Sequence, residues 1–103
     1  VRLHRRVGEV LEEIYRTDLE PYLAQLAHHF GMVGQSGEVE KTITYAARAG
    51  ARASSLLAYE EAVRHYEKAL QALERQASVD EVQRCKLLIA LGEALRQTDG
   101  LPA

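Results

Sequence analysis

The sequence lacks tryptophan and holds one phenylalanine, one cysteine, one methionine and two prolines among its 103 residues. A single cysteine excludes an internal disulfide and is typical of proteins that work in a reducing cytosol. Prolines that break helices are scarce, whereas Leu, Ala, Glu and Arg, which form helices well, are abundant. We therefore expect a cytoplasmic, all-helical protein with a core of aliphatic and small side chains.

An excess of charge of either sign is also missing, since 13 basic and 15 acidic residues leave a net charge of −2 and a pI near 6.1. Domains that bind nucleic acid usually carry a basic patch, so direct contact with nucleic acid is not expected. No uncharged apolar run approaches the roughly 18 residues of a membrane span, and no signal-peptide pattern opens the chain. Because the chain begins at Val1 and its only methionine is Met32, we expect a fragment of a longer protein.

Apolar residues recur at helical spacing in five successive segments, which suit a single domain over residues 1–103. The first segment covers residues 2–16. Thr17 or Asp18 can cap the second helix, and Pro21 suits its first turn. Ser36 is a candidate cap for the third helix. The inner face of the third helix is small throughout, with Val39, Ile43, Ala46, Ala49, Gly50 and Ala53.

The boundaries of the last two helices rest on weaker signals. No Gly or Pro separates the third helix from the fourth, and we place a tight turn at 54–57 from the repeat described below. The fourth helix is expected from about Ala58 to Arg75. Ser78 followed by Glu81 predicts a capping box for the fifth helix, which Asp99-Gly100 would end.

Glycines recur every 42 residues, at Gly8, Gly50 and Gly92, and the two candidate caps Ser36 and Ser78 are related by the same shift. Self-similarity at a fixed period between about 20 and 50 residues indicates stacked structural repeats. The expected units are a first helix pair at 1–34, a second pair at 36–76, and the first helix of a third, truncated pair at 78–98.

The second pair resembles a tetratricopeptide repeat, which has Leu-Gly in its first helix and Ala, an aromatic and Ala in its second. The period here is 42 rather than about 34, and Ala53 stands where that repeat has tyrosine. The resemblance implies a right-handed α-α superhelix of antiparallel helix pairs, with about five helices. It also implies the residues that pack the repeats: Gly50, Ala53, Tyr59, Ala62, Tyr66, Ala69, Leu91, Gly92 and Leu95.

Three segments, LAHHF at 26–30, YAARAG at 45–50 and LAYEEAVRHYEKAL at 57–70, resemble the helical repeats of large bacterial signalling ATPases. These include LuxR-type and related transcriptional regulators and ATPase-linked class III nucleotidyl cyclases. In such proteins the repeats follow a nucleotide-binding ATPase module and serve as a sensor or assembly surface. The resemblance implies a non-catalytic module for protein–protein interaction or regulatory scaffolding. An autonomous peptide-binding adaptor is the alternative.

Residues that could carry chemistry are few. Gly31, Gly34 and Gly37 lack the Gly-Lys-Ser/Thr of a phosphate loop. His28 and His29 are adjacent, so they diverge by about 100° on a helix and cannot hold one metal from the same face. These patterns predict no enzyme activity and no cofactor or metal site.

The lone thiol and the paired acids also have ordinary explanations. Cys85 lies about two turns inside the fifth helix, where we expect it to pack as a small apolar residue. The pairs Glu12-Glu13 and Glu60-Glu61 diverge on their helices and are expected to form solvated faces. We therefore predict no catalytic residues.

The partner of the module is expected to be a protein, either an adjacent domain of the parent chain or another molecule. In tetratricopeptide arrays the first helix of each pair lines the concave surface. By that resemblance the candidate partner surface comprises Thr44, Ala47, Arg48, Ala51, Ser55, Ile89, Glu93 and Arg96. Leu88, Leu91 and Leu95 should leave apolar surface uncovered, which predicts a homodimer through the C-terminal helix.

Overall fold

A computed structural model describes residues 2–14, 18–31, 39–76 and 78–98, with burial described from Arg5 onward. These residues contain five α-helices and no strand. The helices are α1 (Arg2–Ile14), α2 (Leu23–Gly31), α3 (Val39–Ser55), α4 (Tyr59–Glu74) and α5 (Glu81–Thr98). A single 3₁₀ turn, Glu20–Tyr22, leads into α2. The all-helical prediction is confirmed, and the right-handed superhelix stays a prediction.

Each helix packs on its neighbours in the chain, in the order α1, α2, α3, α4 and α5. The α3–α4 interface is the most extensive, and α5 packs substantially only on α4 within the described part of the chain. The predicted inner face of α3 is confirmed, since Ile43, Ala46, Ala49, Gly50 and Ala53 are buried and Val39 is half-buried. Small side chains at this face allow α3 and α4 to approach closely.

The turn between α3 and α4 lies where the repeat predicts it. The amide of Ala58 donates to the carbonyl of Ala53 at 2.8 Å, and the amide of Leu57 donates to that of Ser54 at 3.0 Å. This pair of bonds is a Schellman motif, which needs one residue in the left-handed region and usually selects glycine. Leu57 takes that place with φ of 63°. No glycine therefore marks the turn in the sequence.

The start of α2 differs in part from its prediction. Pro21 does lie in the first turn, as expected. The residue at the cap, however, is Leu19 rather than Asp18, and no side chain caps the turn. Of the other candidates, Thr17 and Ser36 lie outside the described residues.

The capping box predicted from Ser78 and Glu81 is wrong. The cap of α5 is Asp80, whose Oδ1 accepts hydrogen bonds from the amides of Val82 at 3.0 Å and Gln83 at 3.2 Å. Because α5 begins at Glu81, Ser78 lies two residues too early to reach the free amides of the first turn. Aspartate caps helices about as well as serine, so the nearer residue takes the role.

Polar contacts of Glu12 tie α1 to α3. Its Oε1 accepts from Nζ of Lys41 at 2.9 Å, and its Oε2 accepts from the Tyr45 hydroxyl. The same Lys41 Nζ lies 4.7 Å from the centre of the Phe30 ring, which itself stacks on Tyr45. Burial first, and then the Glu12 carboxylate, raise the pKa of Tyr45 above its ordinary value of 10.0. The solvated face predicted for the first acidic pair is thus wrong for Glu12.

Candidate partner-binding surface

Two of the three glycines spaced 42 residues apart lie against an aromatic ring of the next helix. A Cβ built at Gly8 would lie 2.7 Å from Cζ of Phe30, and one built at Gly50 would lie 2.8 Å from Cε1 of Tyr66. Real Cβ atoms essentially never come so close, so any side chain at either position would force the ring to move. In both pairs, therefore, glycine lets a ring rest directly on the backbone of the preceding helix.

The third glycine has no such ring. A Cβ built at Gly92 would have no heavy atom within 4 Å among the described residues. Gly92 is exposed on α5, whereas Gly8 and Gly50 are buried. α5 thus has a glycine at the position that corresponds to Gly8 and Gly50, but no described ring covers it.

The neighbours of Gly92 on α5 are likewise more exposed than the corresponding neighbours of Gly50 on α3. On α3, Ile43, Ala46 and Ala53 surround Gly50 and are 1%, 0% and 6% exposed. Their counterparts 42 residues later are Cys85, Leu88 and Leu95, and all three are exposed. We call Cys85, Leu88, Gly92 and Leu95 the open face of α5.

The opposite side of α5 is covered by α4 and contains the buried residues Leu87 and Ala94. Apolar side chains thus lie on both sides of the helix, and α4 covers one of them. The prediction of uncovered leucines is confirmed for Leu88 and Leu95, which are 47% and 43% exposed. It is wrong for Leu91, which is half-buried and packs against the core. Cys85 was predicted to be packed and is exposed, because its position along the helix does not reveal which side is covered.

Most of the repeat-packing residues predicted from the sequence lie inside the molecule. They form three groups by exposure. The buried members are Gly50, Ala53, Ala62, Tyr66 and Ala69, the half-buried ones are Tyr59 and Leu91, and the exposed ones are Gly92 and Leu95. The exposed members are thus confined to α5.

Tyr66 lies where α3, α4 and α5 meet. Burial raises the pKa of its phenol, the Glu93 carboxylate of α5 raises it further, and a hydrogen bond with the Ser54 side chain on α3 acts in the opposite direction. The ring edge of Tyr66 therefore contacts Gly50. Its hydroxyl interacts with both α3 and α5, which are the first helices of the second and third predicted pairs. Position 96 of α5, which holds Arg96, corresponds to Ser54 in the 42-residue register.

The candidate partner surface is spread along α3 and α5. Seven of its eight residues are exposed and Ala47 is half-buried. Arg48 is engaged, since its Nη2 lies 2.9 Å from Oε2 of Glu20. The structure brings Thr44 together with Gln83 and Lys86 of α5 in a cleft of about 510 Å³. The remaining members do not line that cleft, and their role in binding stays a prediction.

The residue types that carry chemistry form no metal-binding cluster in the part of the chain that the structure describes. No group of three or more His, Cys, Asp or Glu side chains that could hold a metal ion occurs within 2–14, 18–31, 39–76 and 78–98. His28 and His29 contact each other edge to face, with ring centres 5.4 Å apart. Burial lowers the pKa of His65. Gly34 and Gly37 lie outside the described residues.

None of the helices described is both long and apolar enough to cross a membrane. The exposed apolar residues include the open face of α5, which corresponds, 42 residues later, to the buried face of α3. The likeness to tetratricopeptide repeats and signalling ATPases rests on the sequence motifs alone. The chain matches no protein-family model, no curated protein and no solved structure.

Proposed function

We propose that this chain is a non-catalytic helical-repeat module that binds protein, and that it serves as a cytoplasmic regulatory scaffold within a larger bacterial signalling ATPase or transcriptional regulator. The open face of α5 is the observation that carries this proposal. Contiguous exposed apolar surface is typical of sites where proteins associate. A helix that is apolar on both sides is normally covered on both.

The repeated contact between glycine and ring supports the scaffold part of the proposal. Gly8 with Phe30 and Gly50 with Tyr66 build two helix pairs in the same way. In stacked repeats each unit contacts only its neighbours, so a partner on α5 extends the stack by one layer. A movement of that partner then passes to α4 through Leu87 and Ala94, which are packed against the rest of the core.

The second candidate function is the autonomous peptide-binding adaptor. The cleft between the beginnings of α3 and α5 favours it, since Glu40, Thr44 and Lys86 offer charged and polar groups there. An extended peptide of mixed charge would suit this lining. The two candidates therefore predict binding at different places on α5.

Selection of binding peptides distinguishes the two. A displayed library of amphipathic helices and a displayed library of extended peptides are each selected against the chain. The scaffold proposal expects helices whose binding is lost in Leu88→Glu and kept in Lys86→Glu. The adaptor expects extended peptides with the reverse dependence. If neither library yields a binder, or if binders tolerate both substitutions, both candidates are wrong.

A homodimer through α5, as the sequence predicts, would use the same open face. Sedimentation equilibrium of the wild type and of Leu88→Glu tests it. The dimer predicts association that grows with concentration and disappears in the variant. A monomer across the concentration range would contradict the dimer and leave the face free for another protein.

A further inference from the structure

We infer that the open face of α5 is a socket for an aromatic side chain, presented by an amphipathic helix of the partner with alanine four residues before and three residues after the ring. The inference rests on the proposed function and names the chemistry of the partner. Phenylalanine or tyrosine would rest on the backbone at Gly92. Acidic residues in the first turn of the partner helix would lie near Arg96.

The ring requirement follows from the other two glycines. At Gly8 and at Gly50 the space that a Cβ would fill holds the edge of an aromatic ring, at 2.7 to 2.9 Å for the two nearest atoms. Gly92 has the same register and empty space in the described structure. The open face thus repeats the residue pattern of the α3 face that packs against α4.

The alanines follow from the helix that covers Gly50. Ala62 and Ala69 flank Tyr66 at four residues before and three after, and both are 0% exposed. Small residues there let α4 come close enough for the ring to reach the glycine. On α5 the walls of the socket are Leu88 and Leu95, which are bulkier than Ala46 and Ala53 on α3. The pair of α1 and α2 reaches Gly8 with Leu26 four residues before Phe30, so it is the pattern of α4 from which we expect small residues at the same two places of a partner helix.

The acidic first turn follows from charge. α3 and α4 are joined by a short turn and run antiparallel, so the first turn of α4, with Glu60 and Glu61, lies near the end of α3. A helix on α5 in the same orientation would place its first turn near Arg96. Arg96 is exposed and takes part in none of the ion pairs found among the described residues. Acidic side chains at that point complement both the guanidinium and the positive end of their own helix.

The described part of a second copy of the chain offers no exposed ring. Among the described aromatic side chains, Phe30, Tyr45 and Tyr66 are buried and Tyr22 and Tyr59 are half-buried. Pairing α5 with a second α5 would cover leucines and leave both glycines without rings. A helix from a different protein segment is therefore the occupant that fits.

A focused library tests the socket. It keeps the sequence of residues 58–75, which is α4 with its flanking residues, and randomises the positions of Ala62, Tyr66, Ala69 and the first turn. Displayed helices are selected against the full chain. We expect Phe or Tyr at position 66, small residues at 62 and 69, and Asp or Glu in the first turn.

Gly92→Ala is the decisive variant. Its methyl group meets no heavy atom of the described residues within 4 Å, so the variant should fold at least as well as the wild type, since alanine suits helices better than glycine. It should nevertheless weaken the selected helices at least tenfold, because the methyl group takes the place of the ring. Gln97→Ala is the matched control, since Gln97 is exposed about 140° around the helix from Gly92. Its binding should match that of the wild type.

Each outcome bears on a different claim. Selected helices that lack an aromatic residue, or that bind Gly92→Ala as tightly as the wild type, overturn the socket and leave the helix-binding scaffold standing. If the focused library yields no helix, the socket alone is overturned; if the general library of amphipathic helices also yields none, the scaffold proposal is overturned as well. Association of the chain with itself through α5 that excludes the selected helices overturns the choice of a different protein as the occupant.

Discussion

Alanine substitution at the repeated glycines should have opposite effects at Gly50 and Gly92. In the interior of a helix alanine is favoured over glycine by about 1 kcal/mol. That gain stands alone at Gly92, where the added methyl group meets no heavy atom of the described part of the chain within 4 Å. Gly92→Ala should therefore raise the free energy of unfolding by about 0.5–1 kcal/mol.

At Gly50 the cost of overpacking against Tyr66 outweighs the same gain in helix propensity. The new Cβ would lie 2.8 to 2.9 Å from three ring atoms of Tyr66, which is buried. Overpacking of this kind typically costs about 1–3 kcal/mol. After the helix-propensity gain, Gly50→Ala should lower the free energy of unfolding by roughly 0–2 kcal/mol. The two variants should thus differ by about 1–3 kcal/mol, or at least about 4 °C in Tm.

Thermal and urea unfolding, followed by circular dichroism, measure the difference. The variant Tyr66→Ala provides the control, because removal of the ring should make a further Gly50→Ala change neutral or stabilising. If Gly50→Ala stabilises the wild type as much as Gly92→Ala does, the ring does not rest on the α3 backbone. The inference drawn for α5 would then lose its basis.

Three further predictions concern the turn, the link between α1 and α3, and the response to pH. Leu57→Gly should stabilise the chain by about 1 kcal/mol in urea unfolding, because it relieves a left-handed backbone, whereas the same change at Leu56 should bring no gain. Glu12→Gln should lower the free energy of unfolding by about 1–2 kcal/mol, because it weakens charge-assisted hydrogen bonds. Hydrogen exchange in α1 should accelerate in this variant, and unchanged exchange would contradict the role of Glu12. The pKa values of Tyr45 and Tyr66 are raised in the folded state, so the unfolded chain ionises first and stability should fall as pH rises above about 10. A stability that stays level there, or a Tyr45→Phe variant just as sensitive to alkali, would contradict that assignment.

Much of the fold could be predicted because periodicity along a helix directly reports its buried side. The small face of α3 is such a case, with Ala46, Gly50 and Ala53 at helical spacing. The repeat, rather than local chemistry, predicts the turn after α3, since Leu57 occupies a place where glycine is usual. Local signals alone would have missed it.

The errors have two physical origins. Caps depend on where a helix begins to within one residue, so Ser78 and Asp80 could not be ranked from the sequence. Contacts between distant residues leave no local trace, which is why the bonds of Glu12 to Lys41 and Tyr45, about thirty residues away, were not foreseen. Neither origin affects the identity of the helices.

Of the candidate site, too, the sequence predicts one part and leaves another to the structure. The 42-residue period singles out Gly92, and its likeness to Gly8 and Gly50 is visible in the sequence. The structure was required to show that Phe30 and Tyr66 fill the space at the first two glycines, and that no described residue fills it at Gly92. The packed position predicted for Cys85 is wrong for the same reason, because α5 is apolar on two sides and α4 covers only one.

The reactivity of the Cys85 thiol is the most direct test that the open face exists and that a helix covers it. Cys85 belongs to that face and is exposed, so in the dilute chain a thiol reagent should label it about as fast as it labels the unfolded chain. Saturation with a selected helix should slow labelling at least tenfold, and at the same helix concentration Gly92→Ala should be labelled faster than the wild type. Slow labelling of the dilute chain alone, or an unchanged rate in the saturated complex, would contradict the assignment of α5 as the docking surface.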